Sequence, residues 1–120
     1  MTLQEIFSKV ATHLLTQSKR SCYPRQSGEG DGYCAYRGSN GTSCAVGCLI
    51  ADEHYDPEIE GGAATSIPAR LALSASGVPI TNETLNLLTK LQNLHDYRPP
   101  TMWPTALAEL AQELGLEYTQ

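Results

Sequence analysis

Three stretches of this chain carry apolar residues at the three-to-four spacing of a helix, and that periodicity constrains the fold more than any other feature. Leu3, Ile6, Val10 and Leu14, flanked by Phe7, Ala11 and Leu15, draw one apolar stripe along residues 3–18. Thr2 and Glu5 stand at the positions of a capping box, and Lys19 and Arg20 follow where the helix dipole is negative. Leu85, Leu88 and Leu91, widened by Leu87 and Leu94, predict a second helix from a Thr81 cap to about Leu94, before Arg98-Pro99-Pro100 breaks the chain. Leu107, Leu110, Ala111 and Leu114 predict a third over Pro104–Leu114, with Gly115 just past its end. A shorter helix is expected from Ile67 to Ser76, with Ser66 as cap, Pro68 in the first turn and Gly77 and Pro79 as stops. With one Phe and one Trp in the chain, Leu and Ala must supply most of the core, which favours helices over a sandwich.

The middle of the chain reads differently. Residues 21–33 are rich in Gly and Ser and show no periodicity, as in a loop. Tyr33–Arg37 and Thr42–Cys44 are short β-prone runs around Ser39-Asn40-Gly41, and Asn-Gly between such runs predicts a hairpin turning there. The apolar run Cys44–Ala51 suggests a buried helix capped by Ser43. Gly47 inside it costs about 1 kcal/mol against Ala, so a second backbone is expected to pack close at that point. The expected fold class is α+β and mainly α: a single small helical domain over residues 1–120 with one β-hairpin.

Charge narrows the function classes. The chain carries a net charge of −5. A general grip on phosphate backbone needs a basic surface, so direct nucleic-acid binding is not expected. No window approaches the ~20 apolar residues of a membrane span. Met-Thr-Leu-Gln-Glu has neither the basic start nor the apolar core of a signal peptide, so a cytoplasmic location and reduced cysteines are expected.

No complete catalytic or cofactor motif is present, and no catalytic, metal or cofactor residue is assigned. Cys22, Cys34, Cys44 and Cys48 are separated by eleven, nine and three residues, without the two close pairs of a structural zinc site. Cys44 and Cys48 read as small buried hydrophobes that bind no metal. Two alternatives stand beside that reading: a cysteine-dependent enzyme using Cys44 and His95, with Asp96 as orienter, and a zinc-stabilised structural module. His95-Asp96 has a plainer role at a helix C-terminus, and Trp103 is expected to fill the junction of the last two helices. Asp52, Glu53, Asp56, Glu58 and Glu60 fall within nine residues around Tyr55. They lack EF-hand spacing. With Tyr36 and Arg37 on the expected hairpin, they form the candidate partner-binding surface, and the Gly-rich residues 27–33 are the next candidate.

Cys44-Ala45-Val46-Gly47-Cys48-Leu49-Ile50, followed by Asp52-Glu53, Tyr55, Glu60-Gly61, Leu94-His95-Asp96 and Trp103, resembles a family of small proteins from tailed bacteriophages and proteobacterial prophages. The resemblance covers most of the chain from Tyr33 onward. It implies a phage or prophage origin and carries no established activity, so no catalytic residue follows from it. Cys48 stands where the family pattern varies, which weakens a paired-cysteine metal site. The expected function is a non-enzymatic protein that modulates or inhibits a host protein, such as a defence or nucleic-acid-handling machine with a basic groove, through its acidic surface.

Overall fold

The computed structural model describes residues 1–23 and 33–118. Four α-helices dominate them: α1 Leu3–Gln17, α2 Ile67–Ala75, α3 Asn82–Tyr97 and α4 Trp103–Leu114. α1, α3 and α4 form where their apolar stripes predict, and α2 lies between its Ser66 and Gly77 signals, although the Ser66 side chain makes no capping hydrogen bond. The Thr2–Glu5 capping box is complete in both directions. Thr81 Oγ1 accepts the Thr84 N–H at the start of α3, and Gly115 closes α4 in the left-handed conformation. α1 packs against α3 and α4, and α3 against α4. Ile6, Phe7, Leu14, Leu88, Leu91, Trp103 and Leu107 lie at the centre of the resulting core.

The segment between α1 and α2 departs from expectation, and the fold class changes with it. No hairpin forms around Asn40-Gly41, and the molecule is mainly α rather than α+β. Asn40 and Gly41 do adopt the left-handed conformations of a tight turn, at φ 59° and 74°. Their legs, however, meet at a single isolated bridge, Arg37 to Ser43. Two competitors take the hydrogen bonds that a ladder needs. The Glu60 carboxylate accepts the Tyr36 N–H, which a longer ladder would give to Cys44, at 2.8 Å, and on the outer side the Arg37 N–H at 3.1 Å. Tyr33–Cys34 pairs instead with Cys22–Tyr23, as two-residue strands β2 and β1, too short to form a sheet layer.

Cys44–Ala51 is not an α-helix either. It is a tight bend containing the 3₁₀ turn Gly47–Leu49, which packs under α1. The expected close approach at Gly47 is present, since a Cβ there would overlap the Tyr36 carbonyl. Four more 3₁₀ turns lie among the described residues: Ser39–Gly41 at the Asn40-Gly41 bend, Asp52–His54 and Pro57–Ile59 in the acidic segment, and Pro100–Met102 at the entry to α4.

Candidate functional site

The acidic segment is held by one carboxylate and presents four. Glu60 also accepts the Tyr55 hydroxyl, so three donors from Tyr36, Arg37 and Tyr55 converge on it. Tyr36 is buried and its hydroxyl donates to the Gly62 carbonyl, 2.7 Å away. Arg37 donates to the Ile50 carbonyl, pairs with Asp52, and lies over the Tyr55 ring at 5.2 Å. Of the eight residues expected at the surface, Asp52, Glu53, Asp56 and Glu58 are exposed. Tyr36 and Glu60 instead form the frame beneath them, and Arg37 and Tyr55 are half-buried links between frame and surface. Asp56 caps the Pro57–Ile59 turn by accepting the Glu58 N–H at 3.0 Å. Residues 27–32 of the second candidate lie outside the described residues.

A second feature is wholly internal. His95, fully buried near the end of α3, accepts the Ser21 backbone N–H at Nε2, 3.0 Å away. That contact places the ring proton on Nδ1, which donates to Asp96 at 2.8 Å. The ring stacks on Trp103, whose indole N–H donates to the Arg98 carbonyl. Arg20 reaches the same helix end and donates to the carbonyls of His95 and Arg98. Burial alone would raise the Asp96 carboxyl, but hydrogen bonds from His95, Gln92 and Cys34 hold it below its ordinary range. The Cys34 thiol is pushed up to about 12 by desolvation, then by Asp96 and Cys22.

Cys34 Sγ, a His95 nitrogen and an Asp96 oxygen lie within 4.8 Å of one another, the grouping a metal would need. The hydrogen bonds argue against the ring as a ligand. Nε2 is filled by the Ser21 N–H, and Nδ1 can coordinate only by giving up the proton that it shares with Asp96. The nucleophile reading meets a similar obstacle. Cys44 is buried and its sulfur accepts the Gly47 N–H, while burial pushes its thiol up to about 12. A nucleophilic cysteine needs the opposite shift, and a general base needs an open ring nitrogen. Cys48, two-sided between Ala45 and the core, is likewise raised to about 12 by burial. A cavity of about 260 Å³ opens beside Cys34, Tyr36, Gln92 and Asp96. It falls below the ~300–1,000 Å³ of typical ligand pockets.

Sequence reasoning missed an exposed aliphatic pair. Ile67 and Leu71 are 64% and 67% exposed, one turn apart on the outer side of α2. The buried side of α2 is Ala69, Ala72 and Leu73, against the Pro57–Ile59 turn. The signal was present in Ile67-Pro-Ala-Arg-Leu-Ala-Leu-Ser-Ala75, which is apolar on more than the one face that a short surface helix can bury.

Scans against family models, curated proteins and solved structures return no match for this chain. No helix among the described residues is long and apolar enough to cross a membrane.

Proposed function

We propose that this chain is a phage- or prophage-type binding protein that acts in the bacterial cytoplasm by occupying a site on a host protein. Its contact surface combines the exposed carboxylates Asp52, Glu53, Asp56 and Glu58 with the apolar pair Ile67 and Leu71. The observation that carries the reading is the exposure of Ile67 and Leu71 on the helix packed against the turn that bears Glu58. Burying an exposed aliphatic side chain fully is worth roughly 1.5–3 kcal/mol. An exposed ion pair adds only about 0–1 kcal/mol. The apolar pair therefore supplies affinity, and the carboxylates supply steering and choice of partner. A partner of matching chemistry has an apolar recess bordered by Lys and Arg, such as a groove built for nucleic acid.

The test is capture from a proteobacterial lysate with three baits: the native chain, Glu53→Lys/Glu58→Lys, and Ile67→Ser/Leu71→Ser. A partner retained by the native chain and lost by both folded variants supports the surface. A partner that all three retain equally removes it from the account.

A further inference from the structure

Cys22 and Cys34 stand directly opposite each other in the β1–β2 pair. The neighbouring pair, Ser21 and Ala35, carries the ladder bond from the Ala35 N–H to the Ser21 carbonyl at 2.9 Å. Antiparallel ladders alternate, so Cys22 and Cys34 occupy a non-hydrogen-bonded site, where facing Cα atoms approach to about 4.5 Å and side chains are closest. That separation lies at the short end of the range that a disulfide spans, ~4.4–6.8 Å. The Cys34 thiol is in hydrogen-bond contact with both the Cys22 thiol and the Asp96 carboxylate, and Cys34 is exposed. Cys44 and Cys48, by contrast, sit in the bend beneath α1, with Cys44 buried and Cys48 half-buried.

We propose that Cys22 and Cys34 form a reversible oxidation site that closes into a cross-strand disulfide. The oxidant is a low-molecular-weight disulfide of the glutathione class. The Cys22 thiolate attacks one sulfur of that disulfide and releases one small thiol, leaving a mixed disulfide on Cys22. Cys34, whose proton is held toward Asp96, is the resolving thiol: it attacks the Cys22 sulfur and expels the second small thiolate, which takes up the Cys34 proton through solvent. Two protein thiols are oxidised by two electrons, one small disulfide is reduced to two thiols, and the protein's two thiol protons leave with those products. The bond ties Cys22, next to the residue that anchors His95, covalently to the strand leading into Tyr36. It also removes the Cys34 donor from Asp96.

The experiment equilibrates the full chain across a series of reduced-to-oxidised glutathione ratios and reads intact mass and disulfide maps by mass spectrometry. Expected is a loss of two hydrogens from the native chain, with a Cys22–Cys34 linked peptide and with Cys44 and Cys48 still alkylatable after denaturation. Cys22→Ser and Cys34→Ser should each stop at a glutathione adduct. In the oxidised chain, the Asp96 carboxyl should titrate at higher pH than in the reduced chain, because one stabilising donor is gone. Native chain that accumulates only glutathione adducts, or that bridges through Cys44 or Cys48, overturns the proposal. So does native chain that keeps four thiols at the most oxidising ratio, and neither of these readouts depends on a variant folding.

Discussion

Two thiols of the central bend give the molecule an alkaline limit. Cys44 and Cys48 stand at about 12 in the folded chain against an ordinary value of 9.0, chiefly because each is desolvated. A folded pKa above the unfolded one favours the protonated thiol, so the stability is fully present below pH 9. It is lost as pH rises from about 9 to about 12, because only the unfolded chain ionises readily over that range. Urea midpoints should therefore fall steadily across it, and Cys44→Ala should flatten the decline. Asp96 acts at the other end of the scale. Its folded pKa lies below the ordinary 3.8, so its contribution is present above that value and disappears as pH falls through the lower folded one. Asp96→Asn should reduce the acid sensitivity of the midpoint. His95→Ala removes the acceptor for the Ser21 N–H, a donor to Asp96 and the stack on Trp103. It should cost about 2–4 kcal/mol in urea titration, as expected for a buried hydrogen-bonded ring lost together with its packing.

Among the elements, the contrast between two glycines tests the packing of the central segment. Gly47→Ala drives a methyl into the Tyr36 backbone and should destabilise by ~3 kcal/mol or more. Gly41→Ala meets no neighbour and only the left-handed φ of 74°, so about 1–2 kcal/mol is expected. Equal losses in thermal melts would show that Tyr36 does not sit where described. The same segment shows what a linear reading can and cannot reach. The helices were legible because apolar stripes, the caps of α1 and α3, and the Pro and Gly stops around α2 are local signals. The need for close approach at Gly47 was legible too, but the bend around it was not, since an apolar run of eight residues suits a helix or a turn equally. The Asn40-Gly41 turn was legible in its chemistry. Its failure to extend was not, because the competing acceptor, Glu60, lies more than twenty residues away along the chain.

At the scale of the molecule, the candidate surface was half legible. Asp52, Glu53, Asp56 and Glu58 stood out as charge, and they are exposed. Tyr36 and Glu60 looked the same in sequence but turn inward, since only the tertiary fold decides which carboxylate becomes an acceptor for backbone N–H groups. Ile67 and Leu71 went unnoticed because a helix with several apolar faces does not announce which one stays bare. The reading joins these parts into one contact surface with separable roles. Charge reversal at Glu53 and Glu58 should leave the melting temperature nearly unchanged, because neither carboxylate shares the Glu60 network. It should slow association and flatten its salt dependence, while removing Ile67 and Leu71 should mainly speed dissociation.

The most direct measurement is therefore association and dissociation kinetics against the captured partner at several salt concentrations, for the native chain, Glu53→Lys/Glu58→Lys and Ile67→Ser/Leu71→Ser. The account predicts roughly a tenfold or greater loss of association rate at low salt for the charge variant, within the range that electrostatic steering spans. It predicts a similar gain in dissociation rate for the apolar variant, corresponding to about 1.4 kcal/mol or more of lost burial. Unchanged rates in both variants, with both folded, would contradict the assignment of this surface.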